Sequence, residues 1–353
     1  MQTTLKQQRS VRVSGPVNPK AAPGEETSGN AKTSGKRAKA RALDAFSRIT
    51  LDEFEDELRG YRRPQAETAL FDGYAFADYR GDVGDAGGGV VLAVALGAGE
   101  VRIVRGVSSR RTLAAALGRI LVVAARANVR LLFGQDHQYG IPLVLANELG
   151  LVGDWRQRMR QLFVEGELAR SALDGKAGEF AAAVNASLVA AGRAPYFFSH
   201  TKGGKYGIPT SRPRPKDAPS ERRLSEAAHG FPFCHVGDNG SVGGQSIVGI
   251  PYLLALLEAC EREQVPVSVW PFDGFSLDEL AGHVAVEPYP SLYRDEGVVQ
   301  TDENDAVACV TWMQRHDRDG SLARRLELRA VPSAQRARVQ LEGWIAGVEA
   351  MVQ

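Results

Sequence analysis

Val129-Arg130-Leu131-Leu132-Phe133-Gly134-Gln135-Asp136-His137-Gln138-Tyr139-Gly140-Ile141-Pro142 passes from an apolar run to a carboxylate and then into a turn. Gly134, Gly140 and Pro142 punctuate it within one strand length, so it reads as a parallel strand buried on both faces rather than a helix. Open α/β sheets bind ligands at the carboxyl ends of such strands, which makes Asp136 a candidate site residue. The competing reading is that Asp136 merely caps a helix expected over 142–149, since Asp is a favoured capping residue.

Working outward, Gly73-Tyr74-Ala75-Phe76-Ala77-Asp78-Tyr79-Arg80-Gly81 is an aromatic-rich strand that also ends at a carboxylate. Residues 89–96 and the alternating stretch 100–105 form a β-hairpin around Gly97-Ala98-Gly99. Ser108 or Ser109 then caps a helix carrying Leu113, Leu117, Ile120, Leu121 and Ala124 at helical spacing. Three antiparallel strands followed by a helix and a parallel strand open a ribonuclease-H-like fold, whereas a doubly wound fold alternates strand and helix from the start. Two later segments, 266–272 and 283–290, supply further strands, the second leading to Glu287. The expectation is an α/β, ribonuclease-H-like mixed five-stranded sheet flanked by helices, with a helical and loop insertion.

The chain's 353 residues, 44% hydrophobic and 24% charged, describe a globular protein, and its formal charge of +1 gives no global pull toward nucleic acid. Residues 1–42, rich in Lys, Arg, Ser, Gly and Pro, read as a disordered basic tail. Residues 43–66 read as a helical linker whose apolar positions within 43–60 offer a protein partner a docking face. The ribonuclease-H-like domain spans 67–345 with an insertion at about 143–230, and 346–353 is a C-terminal tail. Three scattered cysteines fit a reducing compartment, and no apolar run approaches the length of a membrane span, so the expected location is the cytoplasm and no membrane partner is expected.

Within the insertion, 197–216 interleaves basic, aromatic, Gly and Pro residues, the composition of a flexible loop that tracks a phosphate backbone; Lys202, Lys205 and Tyr206 are its candidate contacts. The loop 237–245 is glycine-rich and runs into an apolar helix, but it lacks the lysine of a phosphate-binding P-loop, leaving Gln245 as a candidate substrate contact. His137, beside Asp136, is a candidate base or phosphate contact, although neighbouring strand residues face opposite ways. Asp302 and Asp305 share one face of an expected helix start, where acids are favoured in any case.

Carboxylates thus stand at three strand ends, Asp78, Asp136 and Glu287, and at one helix start, Asp302 and Asp305. Acids sharing a site repel one another unless cations lie between them, and a donor set of hard oxygens favours Mg2+ or Mn2+. Two such ions serve an in-line phosphoryl displacement.

In order, the Asp78 strand, Asp136 with Gly140-Ile141-Pro142, Ser241-Val242-Gly243-Gly244-Gln245 with Gly249-Ile250-Pro251, Val269-Trp270-Pro271-Phe272, Glu287-Pro288-Tyr289-Pro290-Ser291-Leu292, Asp305-Ala306-Val307 and Glu342-Gly343-Trp344-Ile345 resemble an uncharacterised bacterial family with a predicted ribonuclease-H-like fold. Some of its members are labelled molybdopterin-guanine-dinucleotide accessory proteins. The carboxylates are also similar in layout to those of RuvC-type resolvases. That similarity implies Asp78, Asp136 and Asp305 as catalytic metal ligands, with Asp302 or Glu287 as the fourth. The chain departs from many relatives at His137-Gln138-Tyr139, where they carry proline, and in its long insertion. The leading expectation is a metal-dependent phosphodiester hydrolase acting on nucleic acid or a nucleotide; the alternative is a non-catalytic nucleotide- or cofactor-binding accessory protein of the same fold.

Overall fold

The stretch 129–142 is the centre of the sheet. In the computed structural model, which describes residues 46–64, 68–79, 89–216, 218, 221–226, 232–238, 241–295 and 298–349, Leu131–Gln135 forms strand β5, buried along its whole length. It lies between two parallel neighbours, β2 (Gly73–Tyr79) and β7 (His283–Val286). Covered on both faces and paired on both edges, such a strand needs no polar alternation. The remaining strands are β1 (Arg48–Ile49), β3 (Val90–Leu96), β4 (Arg102–Val104) and β6 (Val267–Val269).

Together they make a seven-stranded mixed sheet ordered β1-β4-β3-β2-β5-β7-β6. Strand β3 is antiparallel to β2 and β4, and β2, β5, β7 and β6 are mutually parallel. The expected hairpin, crossover helix and central parallel strand are present. Seven strands replace the expected five: β1 adds an edge beside β4, and β7 inserts between β5 and β6.

Six described helices reach ten residues: α1 (Leu51–Gly60), α2 (Arg110–Arg126), α3 (Ala177–Ala190), α4 (Gly243–Arg262), α5 (Asp302–Arg318) and α6 (Ser333–Glu342). One core cluster joins the sheet to α1, α2, α3 and α4 through Phe54, Leu117, Phe180 and Ile250. A second joins it to α5 and α6 through Phe76, Val310 and Val339. By length and composition α4 is the one described helix able to cross a membrane, contrary to the expectation from apolar run length, yet most of it is buried inside the core. All three cysteines are free and buried.

The region expected as a helical linker differs from its prediction. Arg48–Ile49 is extended and pairs with β4; the helix starts only after Thr50, whose side chain caps it in a capping box with Glu53. Its apolar residues Phe54 and Leu58 are buried in the core, and Arg119 and Arg102 tie its acidic face to α2 and β4. Phe54 and Leu58, two of the apolar positions read as a partner's docking face, are therefore used within the molecule, while Phe46 and Leu51 are half-buried. Residues 1–42 lie outside the described residues, as do Leu43 and the end of the C-terminal tail.

Candidate active site

The site follows from strand register. Strands β2 and β5 pair Gly73 with Leu131 through to Ala77 with Gln135, so the next residues, Asp78 and Asp136, come side by side where the strands end, with Asp136 N–H donating to Ala77 O at 2.8 Å. Parallel neighbours are about 4.8 Å apart and in-register side chains share a face. The two carboxyl groups accordingly share a hydrogen bond; Asp78 is buried and Asp136 is half-buried at the cavity edge. Asp136 does not cap the following helix, Leu143–Glu148, whose N-cap is Pro142.

One position further on, Tyr79 and His137 point to the opposite face and repeat the pairing: the Tyr79 hydroxyl bonds His137 Nδ1 in a short contact. This latch ties the two strand ends together directly behind the aspartates. Helix α4 runs across it at Gly249, where a Cβ would stand 2.2 Å from the Tyr79 hydroxyl and 2.8 Å from the His137 ring. One turn earlier on α4, the Gln245 amide donates to Tyr79 O at 2.8 Å and to Asp136 Oδ2 at 3.0 Å, joining both strands.

Electrostatics follow from this crowding. Burial, then the charges of Asp136, Asp302 and Asp305, hold the Asp78 carboxyl well above its ordinary range. Burial pushes Asp136 up to about 7; the hydrogen bonds from Asp78 and Gln245 oppose the rise and the charge of Asp305 adds to it. The pair thus titrates as a unit that retains a proton near neutrality. Asp305, on the first turn of α5, is raised by burial but held back by Arg294, which pairs with it at 2.5 Å.

Asp78, Asp136, Asp302 and Asp305 all line one cavity of about 760 Å³. Lys202, Lys205, Tyr206 and Gln245 line it too, so eight of the sequence-selected residues meet there. Two do not. His137 is buried in the latch, and burial together with the charges of Arg110 and Arg223 lowers its pKa to about 3, so it is neutral and turned from the cavity. Glu287 lies beside a much smaller cavity of about 20 Å³, where Arg223 clasps it with one bond of 2.7 Å and a second, shorter one. It also accepts the Tyr139 N–H at 3.0 Å. With its oxygens so engaged, Glu287 anchors the insertion to the sheet and leaves the acid cluster.

No family model, curated protein or solved structure matches the chain.

Tyr289 lines the larger cavity as well, and the polar lining that the sequence did not single out is Lys176, Glu179, Asp238, Ser241, Ser291 and Gln300. Asp238 accepts from Ser199 Oγ at 2.9 Å, His200 N at 2.7 Å, Thr201 N at 2.9 Å, the Thr201 hydroxyl and His235 Nε2. Burial acts to raise this carboxyl, but those donors, Thr201 foremost, outweigh it and hold the pKa below its ordinary value. Only its place in an Asp-Asn-Gly turn was visible in the sequence, and that pattern is common to many turns.

Among the described residues, no group of three His, Cys, Asp or Glu side chains is arranged as a metal-binding cluster. What the structure offers a cation is the Asp78–Asp136 oxygen pair, with Asp302 and Asp305 close enough to shift its titration. The chemistry of these donors fits a hard divalent ion; as arranged, the donor set is a pair and not a closed triad, with Asp305 drawn to Arg294.

Proposed function

We propose that the protein is a divalent-cation-dependent phosphodiester hydrolase acting on nucleic acid or a nucleotide, built on a ribonuclease-H-like fold of the RuvC type. The strand order β4-β3-β2-β5-β7, with β3 alone reversed, supports that fold reading. The observation that carries the functional reading is the hydrogen-bonded Asp78–Asp136 pair at two in-register strand ends, lining a cavity whose other walls bear lysines.

In this reading Asp78 and Asp136 hold Mg2+ or Mn2+ in place of the shared proton, and Asp305 and Asp302 complete its surroundings. The bound ion supplies Lewis-acid stabilisation of charge developing on a phosphoryl oxygen. Gln245 and the Tyr79–His137 latch fix the carboxyl groups before substrate arrives, so little reorganisation is left to the reaction. The lysines attract the phosphate, which the acids alone would repel.

The test is hydrolysis of single-stranded, double-stranded and branched nucleic acids and of dinucleotides in Mn2+ by the wild type and by Asp136→Asn. Turnover by the wild type that the variant loses supports the reading; equal activity in both, or none in either, overturns it. The second reading, a nucleotide- or cofactor-binding accessory protein, is favoured by the pair's stopping short of a closed metal cluster. It predicts thermal stabilisation by a nucleotide without turnover.

A further inference from the structure

The insertion brings a second set of charges to the cavity. Lys176, just before α3, and Lys202 and Lys205, around the short helix Gly203–Tyr206, line the same space as the aspartates. Lys176 and Lys205 are exposed, Lys202 is half-buried, and Lys176 pairs with Glu179 at 3.4 Å; the backbone that carries Lys202 and Lys205 is held. At one end of their segment, Asp238 gathers the donors of Ser199, His200 and Thr201. At the other end the Tyr206 ring sits in a slot between two glycines: a Cβ on Gly178 would stand 2.3 Å from the ring and one on Gly237 2.7 Å from it. The segment 199–206, whose composition reads as part of a flexible loop, is thus fastened at both ends, and the backbone bearing Lys202 and Lys205 is set before any ligand arrives.

We infer that Lys202 and Lys205, assisted by Lys176, form a phosphate subsite separate from the carboxyl pair, and that the cavity takes one or two unpaired nucleotides. This rests on the functional reading above and adds the substrate class. The carboxyl pair and the lysine wall bound one space, so a ligand touching both carries its reacting phosphate at the acids and another phosphate at the lysines. A volume of about 760 Å³ lies within the roughly 300–1,000 Å³ of small-ligand pockets, which matches one or two nucleotides better than a length of base-paired duplex. The shared chemistry is a phosphorylated, unpaired nucleotide, whether free or at the end of a single strand.

The test measures binding in EDTA, where cation-dependent turnover is absent, by fluorescence anisotropy of the full chain. The probes are a labelled dinucleotide, a short single-stranded oligonucleotide and its duplex. The dinucleotide and the single strand are expected to bind at least tenfold more tightly than the duplex. Lys202→Gln/Lys205→Gln is expected to weaken both at least tenfold and to flatten the dependence of log Kd on log salt by about 1 to 2, as loss of two phosphate contacts requires. Lys202→Arg/Lys205→Arg, which keeps the charges, is expected to retain binding, separating loss of charge from loss of fold. A preference of the single strand over the dinucleotide assigns the ligand to a strand end, and equal binding assigns it to a free nucleotide. Duplex binding as tight as single-strand binding, or affinity indifferent to the Gln substitutions, overturns the inference. Failure of the hydrolysis test leaves this one intact, because no cation or turnover enters it.

Discussion

Replacing Asp136 by Asn makes the metal-free protein more stable at alkaline pH while removing the group assigned to the cation. The carboxyl titrates at 3.8 when unperturbed and at about 7 in the folded protein, chiefly through burial. An acid raised in this way favours folding fully below about pH 3.8; that contribution fades as pH rises and is gone above about 7, where folding must bury a charge. A displacement of that size corresponds to about 4 kcal/mol, shared with Asp78 because the two titrate as one pair. Asn keeps an oxygen for the Gln245 amide and adds an amide that donates to Asp78, so the contacts made by Asp136 survive the exchange. Thermal unfolding in EDTA is therefore expected to show Asp136→Asn melting roughly 5–10 °C above the wild type at pH 8, with the gap closing toward pH 5. Mn2+ is expected to raise the wild-type Tm at pH 8 and leave the variant's unchanged. A variant less stable than wild type at pH 8, or a gap independent of pH, refutes the electrostatic account of the pair.

Other consequences follow from the supporting contacts. Tyr79→Phe breaks the latch and leaves His137 Nδ1 buried without its partner; a loss of about 1–3 kcal/mol is expected by denaturant unfolding. Arg223→Met strands Glu287 and Glu226 as buried charges without their cation, an expected loss of about 3–5 kcal/mol by denaturant unfolding at pH 7. Asp238→Asn removes the charge that gathers segment 199–201; faster amide hydrogen exchange at His200 and Thr201 is expected, with little change in global Tm.

Much of the scaffold was legible because it obeys one-dimensional rules. The continuous apolar run before Asp136, the hairpin glycines at 97–99 and the Ser109 cap each have a local cause. The register that sets Asp78 beside Asp136 does not, since sequence shows where two strands end but not how they align; the pairing of Gly73 with Leu131 supplied it. The same limit explains Glu287. At a strand end it looks like Asp78 or Asp136, and only the approach of Arg223, 64 residues earlier in the chain, turns it into an anchor. His137 was suspect on alternation alone, and the structure turns it behind the site. The wall around Lys176 and Asp238 depends on contacts such as Tyr206 against Gly178 and Gly237, which leave no periodic trace.

The central claim is that Asp78 and Asp136 exchange their shared proton for a divalent cation. Calorimetric titration of Mn2+ into the full chain tests it most directly. At pH 8 the wild type is expected to bind Mn2+, with affinity falling and protons being released as pH drops below about 7, whereas Asp78→Asn and Asp136→Asn bind at least tenfold more weakly. Binding that is absent from the wild type, or unchanged in both variants, contradicts it.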